Sequence, residues 1–169
     1  EGRVFEIAQL SGWITQLEPH FTTVWAFHAW NMAYNISVLF PSPEDRWRWV
    51  QNGIRLLRDE GLPANPDSAI LCKELGWLYQ HKIGFNMDQA HRFYKLKLTE
   101  DMAACFTGLR PGPDTPEAGL QRLRTEYKLD PGRIAEIDRR YGPFDWRLPE
   151  THAIYWAARG LDLALAGKL

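Results

Sequence analysis

Apolar residues recur three and four positions apart along most of the chain, a pattern typical of amphipathic helices. The clearest case follows Ser42, where Pro43 supplies a first-turn proline and Asp45 closes a capping box. The apolar positions of this segment, which stops at Gly61, are Trp47, Val50, Ile54 and Leu57. Because strand-like alternation is almost absent elsewhere, the pattern predicts an all-α fold.

Capping residues, glycines and prolines divide the pattern into eight predicted helices. The expected ranges are 4–16, 22–38, 43–60, 67–83, 87–106, 116–128, 131–141 and 150–166. Short connections favour antiparallel neighbours. We therefore expect 22–38 to pack on 43–60, and 67–83 to pack on 87–106.

An internal repeat is indicated when the sequence is compared with itself at an offset of 47 residues. The offset pairs identical residues at corresponding points of two helix pairs. The matches are Ile7 with Ile54, Leu10 with Leu57, Pro19 with Pro66, Trp30 with Trp77, and Ile36 with Ile83. Ala29 also aligns with Gly76, and both are small residues.

The small residues lie within a recurring spacing of a large residue, a small one four positions later, and a large one three positions further on. The three sets are Trp25, Ala29 and Met32; Cys72, Gly76 and Tyr79; and Trp156, Gly160 and Leu163. This pattern resembles the tetratricopeptide repeat, although the period of 47 departs from the usual value of about 34. Residues 30–35 (WNMAYN) and 81–84 (HKIG) are also similar to an uncharacterised family of large bacterial helical-repeat proteins, and this resemblance implies no activity.

The resemblance implies an α-α superhelix, a right-handed stack of antiparallel helix pairs in one domain, 1–169. Two units would occupy 1–108, an irregular helical insert 109–149, and the first helix of a further unit 150–169. Since the terminal helices would lack their mates, we expect a fragment of a longer array. We also expect an apolar face on 154–165 that self-associates or folds back on the body.

Composition narrows the possible functions. The content of 45% hydrophobic and 24% charged residues is that of a globular protein. A net charge of −1 gives no field that would attract nucleic acid. The apolar runs are too short for a membrane span. Cys72 and Cys105 are expected to be buried thiols, and they do not indicate a cellular compartment.

Motifs of catalysis and metal binding are missing from the sequence. It has no serine elbow, phosphate loop or dinucleotide fingerprint. Zinc sites need three or four ligands. The pairs Asp88 with His91 and Glu74 with His81 lack further ligands, so we expect no metal and no cofactor. Acidic residues accompany the basic residues of the third helix, and the mixture predicts a solvated face. The basic residues are Arg46, Arg48, Arg55 and Arg58.

Three polar residues, His28, Asn31 and Asn35, fall at helical spacing in an otherwise apolar segment. Unpaired buried polar groups are costly, so we expect a structural hydrogen-bond network that fixes helix packing. The alternative is a recognition or acid–base cluster.

Two of the predicted core residues, Ala29 and Gly76, are expected at close helix crossings. The predicted core residues are Trp25, Ala29, Met32, Leu71, Leu75 and Gly76.

If Ala29 and Gly76 face the second helix of each helix pair, the residues that follow them line a groove. The predicted binding residues are Trp30, Tyr34, Lys73, Trp77 and His81. Aromatic anchors beside hydrogen-bond donors are typical of peptide-binding hot spots. The sequence therefore favours a non-catalytic scaffold that binds a protein or peptide, including the rest of its own chain.

Two other classes of function stay open. The segment could be an internal structural spacer, in which case Trp30 and Trp77 would be buried. It could also be an all-α enzyme that uses His28 or His81 as a base, which would need a deep pocket with a histidine and two carboxylates. Exposure of both tryptophans in a groove would favour the scaffold.

Overall fold

The computed structural model describes residues 2–167, so residues 1, 168 and 169 of the predicted domain lie outside the described residues. Within 2–167 the backbone forms eight helices joined by turns, with no strand. They are α1 (Gly2–Leu17), α2 (22–39), α3 (43–64), α4 (69–84), α5 (His91–Ala103), α6 (Glu117–Thr125), α7 (Pro131–Tyr141) and α8 (Pro149–Ala166). The all-α prediction is confirmed.

Side-chain caps fix several of the helix starts. The Ser42 hydroxyl accepts a hydrogen bond from the amide of Asp45 at the start of α3, as the sequence predicts. Helix α4 begins at Ala69, two residues later than expected, because Ser68 is its cap. Helix α5 begins at His91 rather than at residue 87, since the carboxylate of Asp88 accepts from the amide of Ala90 and holds a turn there.

Three of the helices change from α to π geometry along their length. The π segments are Asn31–Ile36 in α2, Leu56–Gly61 in α3 and Leu78–Gly84 in α4. The sequence pattern did not reveal them. The α-helical and π-helical parts of α2 begin 47 residues before those of α4, which is the separation between Tyr34 and His81.

Small residues bring α2 and α3 together in an antiparallel pair. A Cβ placed on Gly53 would lie 2.7 Å from the carbonyl oxygen of Ala29, so the two backbones nearly touch. Ala29 is fully buried at this point. The predicted packing of α2 on α3, and the close crossing at Ala29, are confirmed.

Helix α4 has a main neighbour that the sequence did not indicate. It packs along its length against α8, with Gly160 against Cys72 at one end and Gly84 against Pro149 at the other, so the two helices are antiparallel. A Cβ on Gly76 would lie 3.2 Å from the carbonyl oxygen of Ala153. Helix α5 contacts the π segment of α4 and, to a similar extent, α3, so the predicted pairing of α4 with α5 is only partly present.

The core contains buried side chains of α2, α3, α4, α5 and α8, and it continues into α6 and α7. Of the predicted core residues, Met32 is partly buried and the others are buried: Trp25, Ala29, Leu71, Leu75 and Gly76. Both cysteines are buried and unpaired with each other, as expected. The apolar face on 154–165 folds back on the body, one of the two expected outcomes, because α4 covers most of it and Trp156 is fully buried there. Leu161 and Leu165 stay exposed.

None of the described helices is both long and apolar enough to cross a membrane.

Candidate functional site

The predicted binding residues lie together on one side of the molecule, where α2, α4 and α8 meet. Trp30 of α2 and Trp77 of α4 are 41% and 45% exposed. Together with Lys73 they line a cavity of about 800 Å³, which we call the tryptophan groove. Its other wall is the start of α8, including Glu150 and Ile154.

Four aromatic rings form a continuous ladder beside this groove: Trp30, Tyr34, His81 and Trp77. Trp30 stacks on Tyr34 with ring centroids 5.5 Å apart, and Trp77 stacks on His81 at 4.6 Å. The two pairs are joined by Tyr34 and His81, whose hydroxyl oxygen and Nδ1 lie 2.9 Å apart. The structure therefore connects two helices through one set of aromatic contacts, which we call the aromatic ladder.

The spacing of the ladder follows from the helices that carry it. Within each helix the two aromatic residues are four positions apart, so they lie on one face. Burial raises the pKa of the Tyr34 hydroxyl, which keeps it a neutral donor or acceptor. Of the five predicted residues, Lys73 is the one that is not part of the aromatic ladder. Its side chain is largely exposed to solvent, and its ammonium lies 3.1 Å from the carboxylate of Glu74.

A second cavity, of about 370 Å³, opens on the other side of Tyr34 and His81. Three charged residues line it, and we call it the basic cavity. Asp88 accepts from Lys82 and, at 3.2 Å, from Nη1 of Arg46. The side chains of Lys82 and Asp88 are only 4% and 6% exposed.

Sequence reasoning missed this cavity, and its prediction of a solvated arginine face was wrong at two positions. Arg46 is mostly buried against Asp88, and Arg58 is buried with a two-pronged contact to Asp59. The signal was present, because Arg46 lies four residues before the core residue Val50 and therefore on the same face of α3.

Two of the three residues of the predicted polar network in α2 are joined by a hydrogen bond. The amide of Asn35 donates to the side-chain oxygen of Asn31 at 2.9 Å. His28 is buried, and neither of its ring nitrogens has a hydrogen-bond partner in the described part of the chain. It lies against Gly12 of α1, and burial lowers its pKa, so the ring is held neutral. The expectation of a satisfied network was wrong for His28, and also for the side-chain nitrogen of Asn31, which has no partner among the described residues.

The described residues contain no group of three His, Cys, Asp or Glu side chains that could hold a metal ion. The carboxylate nearest to His81 in the basic cavity is Asp88, and both of its oxygens contact cations. The tryptophan groove contains carboxylates, Glu74 and Glu150, but no histidine among its lining residues. Neither lining therefore combines a histidine with two carboxylates.

No protein-family model, no curated protein and no solved structure matches this chain.

Proposed function

We propose that this chain is a non-catalytic scaffold that binds a protein or peptide in the tryptophan groove. The observation that carries the proposal is the exposure of Trp30 and Trp77 side by side on the groove wall. Tryptophans dominate the energetics of protein interfaces because each buries a large area with few torsions to freeze. A groove lined by two of them supports a role in recognition.

The aromatic ladder adds a second argument, which concerns rigidity. Trp30 and Trp77 are each stacked on a neighbour, and those neighbours are joined by the contact between Tyr34 and His81. Side chains that are already ordered lose little conformational entropy when a ligand binds. The groove therefore presents its two anchors at low entropic cost.

A tetratricopeptide-like repeat is the architecture that we propose for the helical stack. Its support is the offset of 47 residues, which relates Tyr34 to His81 and also relates both ends of Thr22–Trp30 to those of Ala69–Trp77. The same offset relates the end of α1 at Leu17 to the end of α3 at Ala64. In such arrays, neighbouring repeats build a common binding surface.

The internal-spacer alternative is less well supported, because it expects both tryptophans inside the core. An enzyme that uses His28 or His81 is also less well supported. His28 is enclosed between α1 and α2, and His81 is held in the aromatic ladder with no free carboxylate next to it. These contacts favour binding over catalysis.

Selection from a displayed library of random peptides tests the proposal. Peptides enriched on the wild-type chain should lose binding at least tenfold, roughly 1.4 kcal/mol, to Trp30→Ala and to Trp77→Ala. Trp13→Ala is the matched control, because Trp13 is 54% exposed on α1 and does not line the groove. Peptides that bind all three variants equally, or no enrichment at all, would contradict the scaffold.

A further inference from the structure

The basic cavity has an unbalanced buried charge. Two cations, Lys82 and Arg46, face one carboxylate, Asp88. The other polar groups on its wall are neutral or aromatic, including the Tyr34 hydroxyl and Gln89. Because one carboxylate cannot neutralise two cations, these three groups keep a net charge of +1 beside a space of about 370 Å³. An uncompensated charge is costly to bury in a protein interior.

Both cations also retain unused hydrogen-bond donors. Lys82 has three N–H groups and gives one to Asp88. Arg46 has five, of which Nε donates to the carbonyl of Phe40 and Nη1 to Asp88. No further acceptor for them occurs within the described residues. The Lys82 ammonium instead lies over the ring of Tyr34, 5.1 Å from its centroid.

We propose that the basic cavity is a carboxylate-binding site in which Lys82 and Arg46 hold a ligand carboxylate. The charge argument selects this class of ligand. A carboxylate carries one negative charge and would neutralise the excess, whereas a phosphate monoester dianion would reverse it. Charge-assisted hydrogen bonds from an ammonium and a guanidinium are among the stronger contacts that a protein offers.

The protonation behaviour of Lys82 agrees with this geometry. Burial lowers the pKa of Lys82 by more than the contact with Asp88 raises it, and the positive charge of Arg46 lowers it further. A second carboxylate in the cavity would offset the cost of burying the ammonium.

The source of the carboxylate is taken to be the bound peptide, and in that respect this inference rests on the proposed function. Tyr34 and His81 are the two middle rings of the aromatic ladder, and they border the basic cavity. The two end rings of the ladder, Trp30 and Trp77, line the tryptophan groove. A peptide whose apolar side chains pack on the tryptophans would place an acidic side chain or its terminal carboxylate next to Lys82.

Titration with benzoate, followed by NMR at constant ionic strength, tests the chemistry without a peptide. Benzoate should cause saturable shifts in the amide signals of residues around the cavity, such as Val38, Met87 and Gln89. Benzamide, which is uncharged and of the same shape, should cause none. Inorganic phosphate should bind more weakly than benzoate. If benzamide and benzoate act alike, if phosphate binds more tightly, or if no signal saturates, the carboxylate site is wrong.

Two variants with opposite expected effects on benzoate affinity keep the test informative even if one of them folds poorly. Lys82→Met should weaken benzoate binding about tenfold or more. Lys97→Met, the matched control, should leave it unchanged, since Lys97 pairs with Glu100 away from the cavity. Asp88→Asn should strengthen binding about tenfold, because the internal competitor is removed while both cations stay. A purely structural ion cluster predicts that Asp88→Asn gains no affinity.

A peptide arm separates this inference from the proposed function. Selected peptides that contain a carboxylate should bind more weakly to Lys82→Met than to the wild-type chain. When the carboxylate of the peptide is replaced by an amide, the two chains should bind it equally well. Groove binding that ignores Lys82, together with no benzoate site, would leave the scaffold standing and remove the carboxylate site. Benzoate binding without any peptide selection would assign the site to a small free carboxylate and overturn the peptide as its source.

Discussion

The hydroxyl of Tyr34 lies 2.9 Å from Nδ1 of His81, and the two residues are 47 positions apart in the chain. This separation is the offset at which the sequence matches itself, so residues at equivalent positions of α2 and α4 touch each other. The contact fixes the two helices side by side, and it brings Trp30 and Trp77 to the same cavity. The groove is thus a product of the internal spacing of the chain.

The groove tryptophans should contribute less to stability than a core tryptophan. Trp30→Ala and Trp77→Ala remove side chains that are nearly half exposed, so each should lower the free energy of unfolding by roughly 1–2 kcal/mol. Trp156→Ala, at a fully buried position, should cost roughly 3–5 kcal/mol. Urea denaturation followed by circular dichroism measures all three. Equal losses would mean that the groove residues belong to the core.

Much of the fold follows from the sequence. Caps such as Ser42 and the apolar spacing of α3 are local signals, and they predict helix positions well. The small residues Ala29 and Gly76 mark where helices cross closely, since only small side chains allow two backbones to approach. The five predicted groove residues also come together, because their positions follow from helical geometry once the repeat offset is known.

The features that the sequence did not show depend on long-range contacts. The packing of α8 on α4 joins segments about 80 residues apart, and no local pattern encodes which distant helix fills an apolar face. The basic cavity needs Arg46 from α3, Lys82 from α4 and Asp88 from the following turn at one place. Such charged residues are usually solvated. The spacing of Arg46 from Val50 indicates its side of α3, but that the three residues meet depends on the tertiary packing.

Helix crossings should not tolerate side chains at their small residues. Gly53→Ala places a methyl group 2.7 Å from the carbonyl oxygen of Ala29, which is too close for any contact with backbone. We expect a loss of roughly 1–3 kcal/mol from overpacking, in spite of the helix propensity gained. Gly76→Leu should show a loss of similar size for the same reason.

Gly112→Ala is the control for these variants, since a Cβ there meets no atom within 4 Å. Its thermal midpoint should stay close to that of the wild type. Unchanged stability of Gly53→Ala would show that α2 and α3 are further apart than described here.

Stability should fall as the pH is lowered, because of His152. Burial lowers the pKa of His152 to about 4, and its Nε2 lies 3.1 Å from the carbonyl oxygen of Trp146. The unfolded chain, with the ordinary value of 6.5, takes up the proton first as the pH falls below that value. The stability contributed by the neutral ring is therefore complete above about pH 6.5 and is lost towards pH 4.

Between pH 7 and pH 5 the expected loss from His152 is roughly 2 kcal/mol. His152→Gln should remove this part of the pH dependence, whereas the exposed His20→Gln should retain it. Chemical denaturation at the two pH values measures the difference. A wild-type chain and a His152→Gln variant with the same pH dependence would show that His152 titrates normally in the native state.

The two thiols should react slowly while the protein is folded. Cys72 and Cys105 are buried, and burial raises the pKa of both thiols, so the reactive thiolate is scarce and inaccessible. We expect Ellman's reagent to label neither within minutes under native conditions and both at once in guanidinium chloride. Immediate native labelling of one cysteine would place it at the surface.

The π segments of α2 and α4 have a consequence for which changes in chain length the molecule can accept. Each residue turns an α-helix by about 100°, and it turns the wider π-helix, with its i→i+5 hydrogen bonds, by less. Residues 31–33 separate Trp30 from Tyr34, and residues 78–80 separate Trp77 from His81, all within the π segments. Deleting one residue from either stretch would therefore rotate one ring of the pair away from the other and break the aromatic ladder. Point substitutions on the exposed side of these stretches leave the rotation unchanged. The number of residues in 31–33 and 78–80 is thus constrained more tightly than their identity, and natural variation there should consist of replacements rather than insertions or deletions.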